Sequence, residues 1–226
     1  MTVPPTDPRW AKVLSLSVHE FRTPMTVVAG YIRMLLKDRA GPLSDQQRKL
    51  LEEAEKSCAR LSGLLAEVSE LSNLEGGTAP LNRGAIDINA ILRDAVDGLP
   101  ALPDREVTVT LDLEPGPVPA TGDPVRLTQA LASVIAALRR ELVGDDGLII
   151  QGRRSGASYQ VLLGDSATIA ALEREDPGSR GVFDEWRGGV GLSLAVARRI
   201  LNAHGAAIFA GPEGQKAAAR LLLPSS

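Results

Sequence analysis

The chain has 226 residues, of which 44% are hydrophobic and 23% are charged, a composition typical of globular proteins. Its formal net charge is −3 and it has no long basic run, so binding to nucleic acid through general electrostatics is not expected. One cysteine and two histidines exclude a disulfide framework and argue against a cysteine-rich or multi-histidine metal site. Because we find neither a signal-peptide pattern nor an apolar run of the ~18 residues that span a bilayer, we expect a cytoplasmic protein without membrane contact.

Two apolar patterns with helical spacing come first along the chain. In the first pattern, apolar residues recur every three or four positions: Leu14, Val18, Phe21, Met25, Val28, Ile32 and Leu35. Gly41 and Pro42 end this helix, and Ser44 with Gln47 forms a capping-box pattern that predicts the start of the next one. The second helix continues the spacing at Leu51, Ala54, Cys58, Leu61, Leu65, Val68 and Ser72.

Two such helices joined by a short turn predict an antiparallel helical hairpin. A single hairpin cannot bury two wide apolar faces, whereas two copies packed as a four-helix bundle can. The pattern therefore predicts a homodimer built on this hairpin.

From Gly76 onward, glycine and proline recur every few residues, and residues 76–80 have the composition of a linker. The patterns after it predict strands at 106–113, 148–150, 159–163, 206–210 and 218–223, and helices at 123–141 and 192–201. Ser155 and Gly156 predict a hairpin turn between the second and third strands. We expect an α+β fold with helices covering one face of a mainly antiparallel sheet, and domains at residues 1–78 and 79–226.

The first helix also carries the sequence His19-Glu20-Phe21-Arg22-Thr23-Pro24 beside its apolar seam. Glu20 adjoins the histidine and Thr23 places a hydroxyl one turn further on. Pro24 costs roughly 3 kcal/mol inside an ordinary helix, and it removes the amide that would bond the Glu20 carbonyl. A loosened turn beside a reactive side chain points to function, the alternative being a surface histidine without a role.

This hexapeptide resembles the H-box of two-component sensor histidine kinases, and residues 9–75 resemble their dimerisation and phosphotransfer domain. The resemblance implies that a ring nitrogen of His19 carries a phosphoryl group and that Glu20 is the base that orients and activates the imidazole. It also implies that Thr23 holds the water that hydrolyses a phosphorylated partner. The implied partner is a response-regulator receiver domain.

The rest of the chain resembles the catalytic and ATP-binding domain of the same family, an α/β sandwich shared with gyrase and Hsp90. The segments that carry this resemblance occur in the family's order at residues 86–88, 122–131, 188–194 and 204–205. His204, in the last of them, is interpreted as a turn residue.

The nucleotide-binding motifs depart from the family's pattern. Ser133 and Ala137 stand where the family has two asparagines that help to hold Mg²⁺ and the phosphates, and alanine offers no oxygen ligand. Arg139 and Arg140 follow, either as a solvated face or as a partial replacement for the charge of the metal.

A second motif, normally Asp-x-Gly-x-Gly, keeps only its aspartate. Ala167 and Ile169 replace the glycines, and Ile169 is expected to fill the space of the adenine. Asp165 is then either an adenine acceptor or a cap at the end of a strand. Further along, Phe183 and Trp186 are either remnants of an aromatic lid anchor or part of a lid packed over the sheet.

Gly188, Gly189 and Gly191 precede a predicted helix, where they either cradle phosphate or form a tight entry to the helix. The candidate nucleotide site is therefore a vestigial one, made of Asp165, Gly189 and Gly191.

These observations predict a phosphorelay protein that exchanges a phosphoryl group between His19 and a receiver aspartate, with ATP binding lost and no cofactor or metal. This hypothesis resembles, in its logic, the histidine phosphotransferases that have a kinase-like architecture and a decayed ATP domain. One alternative is an ATP-dependent sensor histidine kinase that autophosphorylates His19, using ATP and Mg²⁺ in a divergent pocket. Another is a non-catalytic scaffold that binds a response regulator.

Overall fold

A computed structural model describes residues 8–142, 147–174, 181–186, 191–212 and 217–225. Contacts within the chain divide it into two units, Met1–Ala79 and Pro80–Ser226. None of the helices in the described ranges has both the length and the apolar content of a membrane-spanning segment.

The first unit is the predicted helical hairpin, formed by α1 (Pro8–Leu36) and α2 (Asp45–Glu75). The predicted capping box is confirmed: the Ser44 hydroxyl accepts a hydrogen bond from the Gln47 backbone, and the Gln47 side chain accepts one from the Ser44 backbone. At the open end, Ser72 Oγ donates to the carbonyl of Ala11 at 2.6 Å. The cap and this bond fix the register of the two antiparallel helices.

The hairpin buries only part of its apolar pattern. Val18, Ile32 and Cys58 are buried between the helices. Phe21, Val28 and Leu61 belong to the same predicted seams, yet their exposed fractions are 59%, 46% and 47%. One hairpin therefore leaves a row of apolar side chains in contact with water, which is the situation that the sequence pattern predicts for a single copy.

The second unit is an α+β domain. Its elements in chain order are β1 (Gly84–Asp87), α3 (Ile88–Asp97), β2 (Val109–Leu113), β3 (Pro119–Gly122), α4 (Pro124–Glu141), β4 (Leu148–Ser155), β5 (Ser158–Gly164), α5 (Ser166–Arg174), α6 (Ser193–Ala203), β6 (Ala207–Ala210) and β7 (Ala219–Pro224). Over the described residues, the sheet runs in the order β2-β4-β5-β7-β6, and a separate antiparallel pair joins β1 to β3.

The mainly antiparallel character of the sheet is confirmed, because β2 and β4 form the one parallel pair among the described strands. The predicted hairpin turn is also confirmed, with Gly156 at a φ of 62° between β4 and β5. The sequence did not indicate β1, β3, α3 or α5.

One face of the sheet is covered by α3, α4 and α6. Tyr159 of β5 is fully buried on this face, and its hydroxyl donates to Oδ1 of Asn89 on α3 at 2.8 Å. The amide of Asn89 donates in turn to the carbonyls of Glu114 and Gly116. This network joins the sheet to the helical layer through satisfied buried polar groups.

The helix α5 lies on the opposite face. Successive side chains of a strand point to opposite faces, so Leu162 points away from the layer that contains Tyr159 and Leu163. Leu162 packs against Ile169 and Leu172 of α5. The α+β class is therefore as predicted, but a fourth helix covers part of the face that was expected to be open.

Candidate functional site

The side chain of His19 is exposed on α1, directly after the buried side chain of Val18. Because Val18 holds one face of α1 against α2, the next residue points outward and its imidazole is accessible to a macromolecular partner. Thr23 lies four residues further on, one turn away on the same face, and Glu20 lies about 100° around the helix. Both of these side chains are exposed.

The turn after His19 has two features that weaken regular helical bonding. Pro24 lies inside α1 and has no backbone N–H to offer the carbonyl of Glu20. Thr26 Oγ1 donates to the carbonyl of Arg22 at 2.9 Å, a side-chain bond of the kind that bends helices. The helix nevertheless runs without interruption through this turn, from Pro8 to Leu36.

In the second unit, α4 carries the two positions at which the family has asparagines. Ser133 Oγ donates to the carbonyl of Gln129 at 3.0 Å, and Ala137 is fully buried. These positions supply one hydroxyl oxygen, already bonded to its own helix, and no amide oxygen. In the part of the chain that the structure describes, no group of three His, Cys, Asp or Glu side chains is placed to hold a metal ion.

Asp165 is the N-terminal cap of α5. Its Oδ1 accepts a hydrogen bond from the backbone N–H of Thr168 at 2.7 Å, and its carbonyl accepts one from the N–H of Ile169 at 2.9 Å. An aspartate at this position satisfies donors that a helix start otherwise leaves free. The structure therefore shows Asp165 in the capping role, which is one of its two interpretations.

Ile169, the residue expected to fill the adenine space, lies in α5. Its side chain is buried against Leu162 and Leu172, on the face of the sheet opposite to α4. The physical reason is local: without glycines, residues 166–169 form the first turn of α5, which turns Ile169 onto the sheet. Thr168 is buried beside Gly164, where an added Cβ would lie 2.7 Å from the threonine methyl group.

Of the glycines before α6, Gly191 has a φ of 69°, a backbone conformation that favours glycine. It lies two residues before the start of α6, as a tight entry into that helix requires. Gly188 and Gly189 lie outside the described residues.

The aromatic residues Phe183 and Trp186 differ in their burial. Phe183 is buried, and its neighbour Val182 forms an antiparallel bridge with Phe209 of β6. Trp186 is 66% exposed. The side chain of Phe183 is therefore packed, as one of the two interpretations of these residues predicts, whereas the side chain of Trp186 is not.

The interpretation of Arg139 as part of a solvated face is wrong. Its side chain is buried, and Nη2 donates to the carbonyl of Pro100. Burial lowers the pKa of Arg139, and the charge of Arg140 lowers it further. Arg140 is exposed, as predicted.

His204 is buried, and both of its ring nitrogens are bonded to the backbone. Nε2 accepts a hydrogen bond from the N–H of Asp123 at 3.0 Å, and Nδ1 donates to the carbonyl of Ile200 at 2.7 Å. Sequence reasoning missed this role because Asp123 lies far away along the chain. Of the two histidines in the sequence, His19 is therefore the one that offers an exposed ring.

Comparison with known proteins identifies residues 10–77 as a His Kinase A (phospho-acceptor) domain. The chain is 31% identical over 199 residues to the probable sensor histidine kinase TcrY of Mycobacterium tuberculosis, covering 84% of this chain and 40% of TcrY. It is 24% identical to the sensor histidine kinase GacS of Pseudomonas protegens, covering 84% of this chain and 22% of GacS. The chain thus spans less than half of each of these relatives.

The fold is similar to that of full-length ShkA in its crystal structure with AMPPNP. The TM-score is 0.72 at 23% sequence identity, with 98% of this chain and 46% of ShkA covered. At this identity the similarity shows the shared fold. The phospho-acceptor domain around His19 and the sensor kinase relatives place the chain in the two-component sensor histidine kinase family.

Proposed function

We propose that this protein is a phosphorelay component that carries a phosphoryl group on His19 and exchanges it with a receiver-domain aspartate without using ATP. The observation that carries this proposal is the contrast between the two units. The H-box side chains His19, Glu20 and Thr23 are present and exposed, whereas the carboxylate of Asp165 is bonded within a helix cap.

The transfer step needs only the groups on α1 and those of the phosphorylated partner. A ring nitrogen of His19 attacks the phosphorus of an aspartyl phosphate, so an N–P bond forms as the P–O bond to the aspartate breaks. The partner recovers a free carboxylate, and Glu20 takes the proton that the imidazole loses. The reverse step transfers the phosphoryl group back to an aspartate.

Two independent features of the second unit support the proposed loss of ATP chemistry. Mg²⁺ prefers an octahedral set of oxygen ligands, and Ala137 contributes none. The second nucleotide motif has Ala167 and Ile169 in place of its glycines, and these residues lie in α5, so the backbone there is helical and not an open loop. Metal placement and base recognition are therefore weakened by different residues.

The carrier is expected to act as a homodimer. Phe21, Val28 and Leu61 are about half exposed in a single hairpin. Packing a second hairpin against this row removes the apolar surface from water, which is the dominant favourable contribution to most protein association.

The second candidate is an ATP-dependent autokinase. It is favoured by the relatives, which are named as sensor histidine kinases, and by Gly191, whose positive φ before α6 is compatible with a phosphate-binding entry. In that case His19 would acquire its phosphoryl group from ATP.

The test of the proposal is phosphoryl transfer from a receiver domain labelled with ³²P by a small phosphodonor. We expect acid-labile label on the wild-type chain and none on His19→Gln. Lys12→Gln, an exposed substitution on the same helix, is the matched control and should retain the label. Receiver binding without label on the wild type would contradict the proposal and favour the scaffold alternative.

A further inference from the structure

A short segment of the second unit, residues 181–186, lies along the outer edge of β6; we call it the strap. The amide of Ala210 donates to the carbonyl of Gly181 at 3.2 Å, and Val182 bridges to Phe209. Phe183 inserts its side chain into the core, while Val182 and Trp186 are exposed. The strap is thus attached to the sheet by backbone contacts with β6 and by the buried side chain of Phe183.

The strap also carries a buried carboxylate that binds two arginines of α6. Glu185 is 7% exposed. Arg199 Nη1 donates to its Oε1 and Oε2 at 3.1 and 2.8 Å, and Arg198 Nη1 donates to Oε2 at 3.0 Å. Charge-assisted bonds of this kind are strong, and a buried charge that loses its partner is strongly unfavourable.

The ion pairs connect two segments that are separate along the chain. Glu185 precedes residues 187–192, which include Gly191, and Arg198 and Arg199 follow them on α6. The two arginines are consecutive, so their positive charges repel each other in the absence of the carboxylate. The same ion pairs therefore attach the strap and offset part of the positive charge of the arginine pair.

We propose that Glu185 is an electrostatic latch: its ion pairs with Arg198 and Arg199 hold the strap on the edge of β6, and the strap opens as a unit when they are broken. Opening takes Phe183 out of the core, while α6 and the remaining strands stay folded. This inference is independent of whether the protein uses ATP, because it concerns the attachment of one segment.

The test is hydrogen–deuterium exchange of the full chain, comparing peptides over residues 181–186 with reference peptides over β5, β7 and α6. β6 is not a reference, because the amide of Ala210 bonds to the strap and is exposed when the strap opens. For Glu185→Gln we expect exchange in the strap to accelerate at least tenfold, with the reference peptides unchanged. Asp184→Asn is the matched control: it removes the same charge one residue away, and its amide oxygen can still accept the bond from the Trp186 amide. It should leave strap exchange within twofold of wild type.

Two results would overturn the latch. One is strap exchange in Glu185→Gln no faster than in Asp184→Asn; the other is an equal acceleration throughout the second unit, which indicates a general structural role. If Glu185→Gln does not fold, Arg199→Gln gives the same comparison, because it removes two of the three bonds and leaves the carboxylate one partner. The expected and the contradicting patterns are the same for both variants.

Discussion

The carboxylate of Asp165 and the backbone N–H of Thr168 form a 2.7 Å hydrogen bond that caps α5. A loop with two glycines keeps its backbone open to a ligand, whereas this capped turn uses its amides within the helix. The helix then buries Ile169 and Leu172 against the sheet. Asp165, Thr168 and Ile169 thus stabilise the domain through the cap and the packing of α5.

The cap gives a prediction on stability. Asp165→Ala should lower the free energy of unfolding by about 1 kcal/mol, the usual effect of removing an N-cap side chain, whereas Asp165→Asn should have almost no effect because asparagine also caps helices. Urea denaturation of the three proteins measures the difference. Equal destabilisation by both substitutions would show that the capping bond is not the role of this residue.

The predicted homodimer depends on the apolar row of the hairpin. Val28→Glu or Leu61→Glu should dissociate the homodimer, because each places an unpaired charge in the core of the four-helix bundle. Arg60→Glu, at an exposed position next to Leu61, should remain dimeric and serves as the control. Light scattering at micromolar concentration measures the mass; a monomeric wild type would contradict the predicted assembly.

Because Tyr159 is buried, the free energy of unfolding is expected to vary with pH in the alkaline range. Burial raises the pKa of Tyr159, and the negative charge of Glu114 raises it by a smaller amount. In the unfolded chain a tyrosine has a pKa of about 10. The native state therefore keeps the phenol proton at a pH where the unfolded chain has lost it. The contribution of the Tyr159 hydroxyl to the free energy of unfolding is therefore fully present below pH ~10, and it is lost as the pH rises through the pKa of the folded state.

Tyr159→Phe tests this dependence. At neutral pH it should destabilise the domain by about 1–3 kcal/mol, because Asn89 Oδ1 loses its buried donor. Above pH ~10 the stability of the variant should fall less steeply than that of the wild type. Denaturation midpoints between pH 7 and 11 measure both effects, and parallel curves would contradict the assignment.

Glu20 is predicted to act on the imidazole and not on the fold. Glu20→Ala should slow transfer between His19 and a receiver by roughly 10²–10⁴-fold, the usual contribution of a general base. Its exposed position predicts an unchanged dimer. Quenched-flow transfer rates alongside light scattering measure the two properties, and an unchanged rate would remove Glu20 from the proposed mechanism.

Thr23 is predicted to act on a different step. Thr23→Ala should reduce the hydrolysis of a phosphorylated receiver while leaving the rate of transfer to His19 close to that of the wild type, because its hydroxyl positions water and not the ring. Release of inorganic phosphate, measured in parallel with transfer, separates the two. A loss of transfer comparable to that of Glu20→Ala would contradict this division of roles.

Much of the fold could be predicted because its signals are local. Ser44 and Gln47 are three residues apart, and the cap that they form is present in the structure. Asp123 likewise caps α4 at the predicted start of that helix, and the β4–β5 hairpin turns at Gly156. In each case the residues that determine the feature are neighbours along the chain.

The errors concern contacts between distant residues. Arg139 belongs to a charged pair that is typical of a surface, but its guanidinium bonds to a carbonyl 39 residues away. His204 bonds to Asp123 across 81 residues. No local pattern indicates these partners.

In the proposed function, His19 receives its phosphoryl group from a partner and not from ATP. The most direct measurement is incubation of the purified protein with γ-³²P-labelled ATP and Mg²⁺, followed by quantification of acid-labile label on the wild type and on His19→Gln. From the proposed function we expect no label above the level of His19→Gln. Label on the wild type that disappears in His19→Gln would contradict it and identify the protein as an autokinase.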